Sequence, residues 1–217
     1  MTVKRSTAVP HGRFLLFCLV SLLWVETVFR IVLGYPFFGV GLFLMPLFTL
    51  PVALVMYLVC TLGSPRANRV VTLAVLALVA ALFSFQIVCA GIFNGYLFEL
   101  QSVPKLTKAF QFAADAVHSI WQQLIGLVLT WVPFAAYVWR GETFAPAKRS
   151  SWKSRGAAAL AIVGVQLIAI LITLCARYGG NNPASLYTRR ADINAAAETF
   201  GLITAERLDA KGVLFHL

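Results

Sequence analysis

Residues 70–93 read VVTLAVLALVAALFSFQIVCAGIF, an apolar run without one charged side chain. The hydrocarbon core of a bilayer is about 30 Å thick and takes about 20 apolar residues of helix to cross. This run is long enough. Working outward, four more runs of the same kind lie at 14–33, 37–62, 117–138 and 156–176. Composition agrees: 60% of the 217 residues are apolar, 12% are charged, and the mean hydropathy is +0.83. Those values fall outside the range of water-soluble globular domains. The reading is an all-α integral membrane protein with five transmembrane helices over residues 1–176, then a segment of different character over 177–217. Little chain remains for a water-soluble catalytic domain.

The polar connections segregate by charge. With the N-terminus on the inside, the inner segments hold Lys4, Arg5, Arg13, Arg66, Arg69, Arg140, Lys148, Arg149, Lys153 and Arg155 against Glu142 alone. The remaining basic and acidic residues nearly balance. Short basic loops mark the cytoplasmic face of a membrane protein, so the expected topology is N-terminus in, C-terminus out. The pI near 9.9 follows from the same loops. No soluble basic patch interleaved with aromatics is present, so nucleic acid is not an expected partner. The first run follows a basic n-region but is too long for a cleaved leader, and no small-x-small site follows it.

Between the first two runs, Gly34 to Phe37 makes a tight hairpin. Pro46 and Pro51 fall inside the second run, where a missing N–H favours a kink. Gly63-Ser64-Pro65-Arg66 is a turn. The third connection, Asn94 to about Ala116, interleaves Phe98, Leu106, Phe110 and Phe112 with Lys105, Lys108 and Gln111, the pattern of a short helix in the interface. The fourth run is the most polar, with His118, Gln122 and Gln123 in its first half and Pro133 beyond. Trp24, Trp121, Trp131, Trp139 and Trp152 mostly fall near run ends, as in an aromatic belt. Cys18, Cys60, Cys89 and Cys175 are dispersed and read as small apolar core residues, with a Cys89–Cys175 disulfide as the alternative.

Glu26 and Arg30 are four residues apart, on one helical face. Ionisable groups inside a bilayer are costly and mark functional candidates. One reading is a self-satisfying pair with Arg30 reaching to the interface. The other is a lipid-headgroup site in which Arg30 grips a phosphate, with Gln86, Asn94, His118 and Gln122 lining the same cavity. For those four, hydrogen bonding between helices is the alternative. His11 and His216 are isolated, and no cluster has metal-ligand spacing. Glu99 and Asp115 have Lys105 and Lys108 as surface partners.

From Asp192 onward the chain is amphipathic and helix-prone, with Phe200, Leu202, Ile203, Leu208 and Val213 set among Glu198, Glu206, Arg207, Asp209 and Lys211. The expectation is an interfacial segment lying on the outer leaflet. Asn181-Asn182-Pro183, Tyr187-Thr188-Arg189-Arg190 and then Phe200-Gly201-Leu202-x-Thr204-x-x-Arg207-Leu208-Asp209 resemble the membrane-proximal linker of the lipoteichoic-acid-synthase-like phosphoglycerol transferases. In that family five helices precede a large extracytoplasmic sulfatase-like domain. The resemblance implies a bacterial cytoplasmic membrane location, phosphatidylglycerol or another anionic phospholipid as a partner, and a separate sulfatase-like domain as another. The family's divalent metal, such as manganese, belongs to that domain, so no cofactor and no catalytic residue are expected among these 217. The chain stops at Leu217, where that domain would begin. The implied role is a membrane anchor that orients an outer catalytic domain. The alternatives are a stand-alone assembly or sensor protein, or a small carrier or channel component.

Overall fold

A computed structural model describes residues 11–36, 38–102, 113–144, 151–175, 182–188 and 192–215. All regular structure among them is helical, in the order α1 (His11–Val32), α2 (Val40–Cys60), α3 (Pro65–Ile92), α4 (Ala113–Gln122), α5 (Leu124–Thr130), α6 (Val132–Phe144), α7 (Trp152–Cys175), α8 (Pro183–Thr188), α9 (Ile193–Phe200) and α10 (Leu202–Phe215). Five segments are long and apolar enough to cross a membrane: Gly12–Val32, Val40–Cys60, Pro65–Ile92, Leu124–Gly141 and Trp152–Cys175. They alternate in direction. One end of the bundle, here the basic end, carries Arg13, Arg66, Arg69, Arg140, Lys153 and Arg155. The opposite end receives α8, α9 and α10 and is the tail end.

Local chemistry sets the boundaries. The third span starts at Pro65 rather than 70, because the Ser64 hydroxyl accepts the Ala67 amide and Pro65 needs no N–H at the first helical position. Helix α2 runs continuously through Pro46 and Pro51. The fourth span is displaced from 117–138 to 124–141. Its polar beginning separates at Gln123 (φ −106°, ψ 14°) as α4, which packs on α3 with the Ser119 hydroxyl donating to the Val88 carbonyl at 3.1 Å.

The span breaks again at Trp131, where Pro133 withholds the N–H that the Leu129 carbonyl would receive in a continuous helix. That carbonyl instead accepts the Trp24 indole N–H at 2.8 Å, an instance of neighbouring helices satisfying freed backbone groups in a bilayer. The Trp131 indole donates to the Ser84 hydroxyl at 3.1 Å. These two tryptophans therefore bridge helices, while Trp139 and Trp152 are exposed at the basic end beside Arg140 and Arg155.

Helix α2 is central, packing along α1 and α7 and against α3 and α9. Two apolar cores result. At the basic end, Phe14, Cys18 and Leu22 meet Ala53, Met56, Tyr57, Cys60, Leu76 and Tyr137. At the tail end, Val25, Phe29, Leu44, Phe48, Phe83 and Ile87 enclose Ile193, Ala196, Ala197, Phe200, Leu202 and Ala205. The outward faces of the spans, including Leu78, Ile125, Leu160 and Leu171, are exposed, as lipid contact requires. All four cysteines are free, Cys89 and Cys175 included.

Candidate functional site

The C-terminal segment does not lie flat beside the bundle. Helices α9 and α10 pack on one another as a hairpin whose apolar face enters the tail-end core, with Phe200 and Leu202 fully buried. The expectation of an outer-leaflet segment is corrected accordingly for residues 192–214: α1, α2 and α3 take up the apolar face that a lipid surface would otherwise receive.

The bend of the hairpin explains how it is held. Gly201 sits at φ +87°, a region L side chains rarely adopt, and ends α9. Helix α10 then begins inside protein, with amides that have no intrahelical acceptor. Glu26 of α1 supplies one: its carboxyl oxygens accept from Leu202 N at 2.9 Å and Ile203 N at 3.2 Å. A Cβ at position 201 would fall 2.8 to 2.9 Å from that carboxyl group, so a side chain there would push the Glu26 carboxyl group aside as well as strain φ. An acidic group at a helix N-terminus is also favoured by the helix dipole. Glu26 is 3% exposed and lies about 9 Å, at 1.5 Å per residue, before the end of α1 at Val32. The bend is thus seated below the rim of the bundle.

Arg30 takes different partners from its sequence neighbour. It is 4% exposed, and its Nε donates to the Pro36 carbonyl at 3.0 Å, closing the α1–α2 connection. The guanidinium occupies the space a side chain at Gly41 would need, beside the Glu198 carbonyl. Next to it the Tyr35 hydroxyl is buried and has no hydrogen-bond partner among the described residues. Burial, then the Glu198 and Asp192 carboxylates, push its ionisation up, against the lowering effect of Arg30.

Gln86 of α3 is the second polar handle. Its amide oxygen accepts Phe98 N at 2.8 Å and its amide nitrogen donates to the Phe98 carbonyl at 2.9 Å. The same nitrogen also donates to the Glu206 carboxylate of α10. Burial raises the Glu206 carboxyl above the ordinary range; the Gln86 bond works against this and the Asp209 charge reinforces it. Two further contacts stitch the tail to the segment after α3: Leu97 N donates to Asn194 Oδ1 at 3.0 Å, and Leu100 N donates to Asp209 Oδ2 at 2.6 Å.

Of the six residues first grouped as headgroup candidates, the fold brings Glu26, Arg30 and Gln86 to the tail. Asn94 does not join them; it is exposed in a turn at φ 56° that ends the third span. His118 and Gln122 pair with each other, Nε2 to Nε2 at 2.8 Å, on an exposed face of α4. The linker motif, by contrast, is used almost throughout. Phe200 fills the core, Gly201 makes the bend, and Leu202 offers its amide to Glu26. Thr204 is buried, and Leu208 packs on the core. Asp209 holds Leu100, and Arg207 donates to Gln166 and Tyr187. Asn182 caps α8 through Ala184 N at 3.0 Å, ahead of Pro183. Asn181, Arg189 and Arg190 lie outside the described residues, as do Lys105, Lys108, Leu106, Phe110, Gln111, Phe112 and His216.

Sequence reading missed Asn194 and Gln166, and it gave Glu206 and Tyr187 no individual role. Gln166, a lone amide in the fifth apolar run, was the available signal. Among the described residues no three His, Cys, Asp or Glu side chains gather to hold a metal ion. Against known proteins the chain matches no family model, no curated protein and no solved structure.

Proposed function

We propose that this chain is a membrane anchor of the lipoteichoic-acid-synthase-like kind, set in a bacterial cytoplasmic membrane with its tail outside. Its work is to hold the C-terminal hairpin at a fixed position and angle, so that an outer sulfatase-like domain is presented to the membrane in a defined orientation. The observation that supports this best is the use of the tail motif: its side chains and its Leu202 amide serve docking, through Glu26, Gln86, Gln166 and the tail-end core. A linker that merely tethered would need none of these contacts, since a flexible tether is favoured by polar, unpacked composition. The orientation is supported by the charge bias of the connections.

The test is genetic and chemical. Deleting the gene in its host should lower incorporation of labelled glycerol phosphate into envelope glycans. Wild type should restore it, and Glu26→Leu, which leaves the α10 amides without their acceptor, should not. Unchanged incorporation in the deletion strain removes the family reading. Full rescue by Glu26→Leu removes the orienting role and leaves the family reading standing. Topology is checked separately: Cys175, exposed at the tail end, should react with a membrane-impermeant maleimide in whole cells, and a Ser64→Cys residue should react only after lysis.

A further inference from the structure

Arg207 stands exposed on α10. Its Nη1 donates to the Gln166 amide oxygen at 3.1 Å and its Nη2 to the Tyr187 hydroxyl at 3.3 Å. The Gln166 amide nitrogen donates to the same hydroxyl at 3.3 Å. Three side chains from α7, α8 and α10 thus close a ring around one positive charge, and both partners of that charge are neutral. Among the described residues Arg207 has no carboxylate partner. The acids beside it on α10, Glu206 and Asp209, are engaged with Gln86 and with Leu100 N.

The location makes the unbalanced charge informative. Gln166 sits about 13 Å, at 1.5 Å per residue, before the end of the fifth span at Cys175. Around it α7 exposes Val163 and Leu167, the side chains that would meet acyl chains. A cation at that level is costly unless it finds an anion or pulls the polar boundary inward. The remaining guanidinium N–H groups have no acceptor among the described residues. The Tyr187 oxygen already accepts two N–H groups, so its own proton is free to donate. The planar donors of an arginine suit phosphate oxygens, and a hydroxyl donor beside them adds a further hydrogen bond. Among the described residues no further polar side chain joins the ring to read the rest of a headgroup.

We propose that Arg207, Gln166 and Tyr187 form a binding site for the phosphate of a bilayer phospholipid, held as a structural lipid at the junction of α7, α8 and α10. The bound phosphate balances the Arg207 charge and fastens the tail hairpin to the fifth span. This inference stands on the geometry alone and does not depend on the family reading.

The experiment is native mass spectrometry of the purified full chain equilibrated with dioleoyl phosphatidic acid, with dioleoylglycerol, which has the same tails and no phosphate, and with inorganic phosphate. Wild type should retain phosphatidic acid and release dioleoylglycerol. Arg207→Gln should lower that retention by about tenfold, the weight of one charge-assisted hydrogen bond. Tyr187→Phe should lower it about threefold, as a neutral hydrogen bond does. Its ring contacts with Phe48 and Phe200 are preserved, so it decides the matter if Arg207→Gln misfolds. Retention unchanged by both variants, or equal for the two lipids, overturns the site. Occupancy by inorganic phosphate matching that by phosphatidic acid would make it a free-anion site and overturn the lipid assignment.

Discussion

Replacing Glu26 by Gln keeps the shape of the side chain and removes one carboxyl oxygen. In the native bundle the two oxygens serve two amides, Leu202 N at 2.9 Å and Ile203 N at 3.2 Å. A glutamine can accept only one of them, and Leu202 is fully buried, so no water replaces the lost partner. An unpaired buried amide costs about 1–3 kcal/mol, and a central value of about 2 kcal/mol corresponds to roughly a 30-fold shift in the docking equilibrium. Glu26→Leu strands both amides, at about 4 kcal/mol, or roughly a thousandfold. The assay is hydrogen exchange by mass spectrometry on the protein in nanodiscs, following peptides that cover 202–208. A peptide from α3 serves as the internal standard, since local opening is read segment by segment. Exchange over 202–208 should accelerate about 30-fold in Glu26→Gln and approach unprotected rates in Glu26→Leu, with α3 unaffected. Unchanged protection of 202–208 in Glu26→Leu would refute the claim that this carboxyl group seats the hairpin.

Gly201→Ala should loosen the same peptides by about 1–3 kcal/mol, through strain at φ +87° and contact with Glu26. Combined with Glu26→Ala its cost should fall, because the contact is gone and only the φ strain is left; strict additivity in this cycle would contradict the geometry. Trp24→Phe should lower thermal stability in detergent by about 1 kcal/mol, having removed the indole donor to the Leu129 carbonyl. In a Pro133→Ala background, where a backbone N–H is restored for that carbonyl, the same substitution should cost little. Glu206 supplies a pH dependence: its folded-state carboxyl is raised above its ordinary value, so it binds its proton more tightly when docked. Docking is therefore favoured at low pH and weakens as pH rises through the raised value. The Tm of wild type relative to Glu206→Gln should fall on going from acid to neutral pH, and a gap independent of pH would exclude this role.

The five spans were legible because a bilayer imposes one simple demand, a sufficient length of apolar helix, and that demand is written in contiguous residues. Errors arose where a boundary depended on a partner outside the run. Hydropathy averaging places Gln123 inside the fourth span. The structure splits α4 off there, since the polar first half finds Val88 and α3. Glu26 and Arg30 were paired by helical spacing, yet each is drawn to a closer demand: Glu26 to two amides 176 and 177 residues away, and Arg30 to the carbonyl of Pro36.

By itself, then, the sequence determined the helical class, the five runs long and apolar enough to cross a membrane, the segregation of charge and the amphipathic tail with its glycine. Only the tertiary structure decided where the tail goes. An amphipathic helix satisfies a lipid surface and a helical bundle equally well, because acyl chains are as apolar as leucine and supply no preference between them. The choice falls to the few polar groups that hydrocarbon cannot satisfy. Gly201 strands the first amides of α10, and Glu26, far away in the chain, is where they find an acceptor.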